Sequence, residues 1–183
     1  AARWMKPWWS GWSEGWWGEW GNRNLKKRRR ILSRDRTFYD NNPYNESEFI
    51  PNQVIVLMSF SGEGTRETYQ TIKEECQKLH LDAKRVDEFI GSGLIITQIS
   101  KAIEDAEFII CDLTYEKPNV YYELGYAHGV GNSDMDILLI AKENSPIHFD
   151  LSSFRIKYYS SAEDLRIIIR ENLSEMIRLT RRK

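Results

Sequence analysis

The run FIICDLTYEKPNVYYELGYAHG, Phe108 to Gly129, changes from one kind of periodicity to another across a single turn. Phe108-Ile109-Ile110-Cys111 is a short, continuous apolar run, the pattern of a strand buried on both faces. A polar turn containing Pro118 follows, and then a helix from Asn119 to about Val130 that carries one acidic residue, Glu123. An Asp at a strand end followed by a Glu on the next helix is how an open α/β sheet assembles a carboxylate site. Such sheets bind ligands outside the carboxyl ends of their strands, where the strand order reverses.

The same alternation extends in both directions. Val54 to Phe60 reads as the first, central strand, and Ser61-Gly62-Glu63-Gly64 as a turn. Tyr69, Ile72, Cys76 and Leu79 then recur at helical spacing. Ala83 to Val86 reads as a short strand, and Gly91-Ser92-Gly93 leads into a helix with Ile95, Ile99, Ala102, Ile103 and Ala106 on one face. After the central run, Ile137 to Ala141 is a fourth strand and Phe154 to Tyr158 a weaker fifth. The last helix opens on a capping-box spacing, Ser160 to Glu163, and shows Leu165, Ile169, Met176 and Leu179 on its apolar face. Strands alternating with helices predict an α/β fold, a flavodoxin-like three-layer sandwich with a five-stranded parallel sheet in the order 2-1-3-4-5. The switch point then falls between the first strand and the strand ending at Asp112, where Ser59, Phe60, Asp112 and the helix of Glu123 should converge.

Composition divides the chain in two. All seven Trp lie in the first 24 of 183 residues, in a short repeat, Trp8-Trp9-Ser10-Gly11-Trp12 and Trp16-Trp17-Gly18-Glu19-Trp20. Interspersed glycines argue against a stable free helix there. A basic run, Lys26 to Arg30, and a polar linker follow. We therefore expect an arm and linker over 1–49 and an α/β domain over 50–183. Residues 1–30 carry eight Lys or Arg and two Glu, a net +6, and the rest carries 18 basic and 25 acidic residues, a net −7. The domain lacks the basic excess of a nucleic-acid binder. The Trp-rich arm is expected to bury its rings against another subunit or a protein partner, since Trp dominates interface hot spots. No apolar run reaches the roughly 20 residues of a membrane helix. Cys76 and Cys111 read as small core residues in a reducing, cytoplasmic setting, with neither zinc spacing nor a disulfide framework.

Each candidate residue has a functional and a plain reading. With Asn119 as N-cap, Glu123 falls about one turn into its helix, where the dipole favours an ionised carboxylate. Such a group acts as a nucleophile, or steadies a cation at a sugar anomeric carbon, or merely stabilises the helix. Asp112 either holds a ribose hydroxyl and moves a proton, or closes a turn. Tyr121 and Tyr122 stack on a base or pack in the core. Gly62-x-Gly64 is a phosphate loop or an ordinary turn, its flanks matching neither a Walker nor a dinucleotide fingerprint. Asp87 and Glu88 reach the site rim or solvent. Gly125 inside a helix is accounted for by a close contact or by a ligand near the backbone. His80, His128 and His148 show no triad or metal spacing.

With Met58-Ser59-Phe60 at the strand end, a Gly-containing turn at 91–95 and the segment Asp112 to Gly129, the chain resembles the nucleoside 2-deoxyribosyltransferase-like and Toll/interleukin-receptor (TIR)-like superfamily of bacteria. The resemblance covers about residues 52 to 142. It departs from the usual pattern at Lys117-Pro118-Asn119 and at Ser59. It implies N-glycosidic bond cleavage with Glu123 in the central role and sugar or base contacts for Asp112. Substrate contacts are then expected from Ser59, Phe60, Gly62, Asp87, Asn119 and Tyr122. NAD or a related nucleotide is the implied substrate, with no cofactor or metal, in a defence or toxin role gated by assembly into a homo-oligomer. Deoxyribosyl transfer between bases is a close variant. A module that binds a nucleotide signal without turnover is the non-enzymatic alternative.

Overall fold

The computed structural model describes residues 50–89, 95–132, 135–151 and 153–181. The expectations for the Trp-rich arm and for Gly91-Ser92-Gly93 lie outside the described residues. Strands β1 (Ile50–Leu57), β2 (Asp82–Arg85), β3 (Ala106–Asp112), β4 (Ile137–Lys142) and β5 (Ile156–Tyr159) form one sheet in the order β2-β1-β3-β4-β5, every pairing parallel. Helices α1 (Thr65–Lys78), α2 (Ile95–Asp105), α3 (Pro118–Gly129) and α4 (Ala162–Thr180) cover both faces. Short 3-10 turns occupy Val86–Phe89 and Phe149–Leu151. This is the expected fold class and strand order.

All seven residues of β3 are buried, as its continuous apolar run requires. Alternation along the strand then assigns each side chain to one of two cores. Phe108 and Ile110 join Val54, Val56 and Ile140 against α1 and α4, through Tyr69, Ile72, Leu165 and Ile169. Ile109 and Cys111 join Ile55, Leu57 and Leu139 against α2 and α3, through Ile103, Val120 and Leu124. Full burial of each such aliphatic side chain contributes about 1.5–3 kcal/mol.

Element boundaries differ from expectation where the backbone is irregular. β1 starts at Ile50 rather than Val54, through a register shift against β3 between those residues. Asn52 has a φ of 66° there, and its amide donates to the Glu107 carboxylate at 2.6 Å. β1 stops at Leu57 because Ser59 folds back, its hydroxyl donating to the Ser61 carbonyl at 2.6 Å. α2 runs into β3 without a loop, so Ala106, expected on the helix, is the first strand residue. β5 begins at Ile156, after a turn in which the Phe154 amide reaches the Leu151 carbonyl. The α4 cap is shifted by one residue: Ser161 caps the Asp164 amide, while the Asp164 carboxylate accepts from the Ser160 amide at 3.0 Å.

One ion network ties α1 to α4. Glu75, fully buried, receives Lys78 at 2.5 Å, Arg166 at 3.3 Å and Arg170 at 3.0 Å. Burial alone would raise its pKa, but the three cations outweigh burial and lower it.

Candidate functional site

Pro118 decides where α3 begins. Its locked φ and missing N–H suit the first helical position. The residue before a proline is pushed to extended backbone, and Lys117 is extended, forming the N-cap without a side-chain hydrogen bond. Asn119, expected as the cap, is thus the second helical residue and is exposed. Glu123 accordingly sits sixth in the helix, beyond the first turn in which the dipole acts.

Glu123 shares its helix face with Val120, Leu124 and Ala127, against the sheet. It is 6% exposed and has no hydrogen-bond or ion-pair partner among the described residues. Burial raises its pKa from 4.5 to about 7. The dipole-stabilised carboxylate expected from sequence is therefore the reverse, a poorly solvated one that keeps a proton near neutral pH. Cys111 belongs to the same core, fully buried; burial first, then the charges of Asp112 and Glu123, hold its thiol protonated.

Asp112 lies on the other face of β3, with Phe108 and Ile110. Its Oδ1 accepts from the Thr114 amide at 2.9 Å and the Thr114 hydroxyl at 2.5 Å, an Asx turn. Its Oδ2 has no partner among the described residues. Burial raises its pKa, against the opposing effect of the Thr114 hydrogen bonds. Asp112 lines a cavity of about 160 Å³ between the starts of α1 and α4, with Thr65, Lys142, Tyr159 and Ser161. Glu123 does not line that cavity.

A third group sits over the ends of β1 and β2. Arg85 grips Asp87 through two hydrogen bonds of 2.6 Å, and its guanidinium lies 5.6 Å from the Phe60 ring and 5.0 Å from the Tyr69 ring. Phe60 is about half exposed.

No family model matches the chain, and no curated protein matches it. Among solved structures it is similar to a CMP N-glycosidase of Clostridium botulinum, at 13% identity and a TM-score of 0.48 over 63% of this chain and 95% of that one.

The expected single convergence is therefore resolved into separate placements. Phe60 and Asp87 come together through Arg85. Asp112 faces α1 and α4, and Glu123 lies under α3 on the opposite face. Ser59 is buried in its own turn. Tyr122 and Asn119 are exposed on α3. Gly62 has a φ of 134°, and a methyl group there would sit on the Tyr115 ring, whose hydroxyl donates to the Glu63 carbonyl at 2.6 Å. The glycine turn is closed by that ring. At Gly125 an added methyl meets open space, so no packing contact accounts for the glycine.

Arg85, Thr65 and Tyr159 were not singled out from sequence, whereas Cys111 is the small core residue expected. Asp112-Leu113-Thr114 carried a legible Asx-turn signal, but the side of the sheet it faces depends on strand register. Among the described residues no group of three or more His, Cys, Asp or Glu is placed to hold a metal ion, and no helix is long and apolar enough to cross a membrane.

Proposed function

We propose that this chain cleaves the N-glycosidic bond of a nucleotide or nucleoside, NAD or a relative, with Glu123 as the reacting carboxylate. The observation that carries the reading is the isolation of Glu123: nearly buried, unpartnered among the described residues, and raised to about pH 7. A carboxylate kept for structure is normally paired when buried. An unpaired one is destabilised in its ionised form, and a developing positive charge is what relieves it.

In an N-glycoside that charge develops at the anomeric carbon as the bond to the base nitrogen breaks. The bonding electron pair leaves with the base. The Glu123 carboxylate either forms an ester with the sugar or steadies the oxocarbenium ion; water then supplies the hydroxyl to the anomeric carbon, its remaining proton passes to the departed base or to solvent, and the carboxylate is returned. The exposed Phe60 and Tyr122 rings are stacking surfaces for a base. An acceptor base in place of water would give deoxyribosyl transfer.

The test is product chromatography with NAD, CMP and deoxynucleosides plus a free base, beside Glu123→Gln. Base release that disappears in the variant supports the reading. Equal release by both proteins, or none by the wild type at high protein concentration, overturns it.

A further inference from the structure

The two cores are not equally covered. Among the described residues, three partly buried apolar side chains pack against the α1–α4 core, and eight against the α2–α3 core. Four of those eight, Ile147, Leu151, Phe154 and Ile156, belong to the connection between β4 and β5 or to β5 itself. Each of the other three crossovers carries a helix, as parallel strands usually require. In this one, 143–155, the only helical turn among the described residues is Phe149–Leu151. A thin, irregular segment stands where a helix would seal the sheet. Phe149 is left 75% exposed. Tyr158, on the same side of the edge strand as Ile156, is left 47% exposed.

Grouped exposed apolar side chains mark an interaction surface, and composition, charge and reach choose what covers this one. Residues 50–183 contain no Trp, whereas 8–20 contain six of the seven in the chain. Each Trp ring has roughly 150–250 Å² to bury. The same stretch carries Glu14 and Glu19 and no Lys or Arg, a net −2. Arg155 and Lys157, on and beside the edge strand, are exposed and have no ion-pair partner among the described residues. Residues 21–49 join Trp20 to Ile50, 29 in all. A random coil of that length spans about 30 Å, against a radius of gyration of about 14 Å for a domain of this size. Tethering favours the chain's own arm over a second copy. A stable interface between separate molecules engages about 20–30 residues a side, more than the 16 residues of 143–158. A linked segment acts at an effective concentration in the mM range and needs less.

We propose that the tryptophan repeat, 8–20, docks on the 147–158 strip of its own chain and covers the α2–α3 face where the last crossover has no full helix. Trp rings pack on Phe149 and Tyr158, and Glu14 and Glu19 pair with Arg155 and Lys157. The inference is independent of glycosidic cleavage.

Because every Trp lies in the arm, the intrinsic Trp fluorescence of the full chain reports the arm alone. Its emission should be blue-shifted from that of a free peptide of residues 1–24. The shift should survive about hundredfold dilution, since a tethered contact does not depend on concentration. Phe149→Glu and Tyr158→Glu, at exposed positions, should each return the emission to the peptide's value, with circular dichroism confirming that the domain stays folded. Ile167→Glu, 42% exposed on α4, should leave the emission unchanged. Reversing both Arg155 and Lys157 to Glu should move it part of the way toward the peptide. Wild-type emission equal to the peptide's, or emission unmoved in both the Phe149 and Tyr158 variants, would overturn the proposal. So would a blue shift lost on dilution, which would assign the contact to a second copy.

Discussion

Glu75 and Glu123 are both buried carboxylates on helices packed against the same sheet, yet their chemistry is opposite. Glu75, between α1 and α4, is surrounded by Lys78, Arg166 and Arg170, and its pKa is lowered in spite of burial. Glu123, between α3 and β3, has no cation partner among the described residues, and burial raises its pKa to about 7. Burial alone does not mark a functional group; burial without compensation does. The α1–α4 face spends its charges on cohesion, and the α3 face leaves one charge unsettled.

The contrast is most strongly tested at Glu123 itself. Glu123→Gln should lower kcat/KM for base release by about 10²–10⁴-fold, measured by product chromatography, with the wild-type rate rising with pH through about 7 as the carboxylate ionises. A pH-independent rate between 5 and 9 would remove Glu123 from the chemistry.

Stability should move the other way. A pKa raised from 4.5 to about 7 means the folded state holds the proton more tightly than the unfolded chain, so ionised Glu123 costs on the order of 3 kcal/mol above pH 7. That cost shrinks as pH falls from about 7 to 4.5. Glu123→Gln should therefore raise Tm at pH 8 and leave it nearly unchanged at pH 4.5. For Glu75 the sign reverses. Its lowered pKa adds stability above pH 4.5 that is lost as pH falls through the folded value. Glu75→Gln should destabilise by about 2 kcal/mol in urea unfolding at pH 7. This is less than the loss of a fully buried pair, because all three cations keep access to water. A Glu75 variant more stable than wild type would break the comparison.

Two glycines sharpen it on a smaller scale. Gly62→Ala pairs a φ of 134° with the Tyr115 ring and should cost about 1–3 kcal/mol, read as a drop in Tm. Gly125→Ala, facing open space on α3, should stabilise by about 0.5–1 kcal/mol. If activity falls while Tm rises, substrate approaches the backbone at that point.

The order of elements and the strand order were legible because β3 and its neighbours are continuous apolar runs, and because helical spacing marks Ile72, Ile103 and Leu165. The parallel order follows from alternation alone. The site was less legible for a geometric reason. Asp112 and Cys111 are adjacent in sequence, and a one-residue step along a strand reverses the face. The pleat turns Asp112 toward α1 and α4, while Glu123 sits on α3 over the opposite face. Asn119 was misplaced for a local reason, since Pro118 outcompetes an Asn cap by fitting the first helical position. The isolation of Glu123 had no local signal at all, being the absence of a cation that only tertiary packing decides.

The Arg181 guanidinium, at the end of α4, holds the Glu107 carboxylate at 2.8 and 2.9 Å and the Asn52 side chain at 2.9 Å. The inner strands β1 and β3 are therefore fastened at their amino ends to the end of the last helix, away from the carboxyl end of β3 where Asp112 sits. A circular permutant that joins Arg181 to Ile50 by a short linker, and opens the chain between β4 and β5, would keep every strand pairing intact. Attachments at Ile50 or Arg181 leave from the amino end of the sheet, and the carboxyl end of β3 that holds Asp112 stays clear of them.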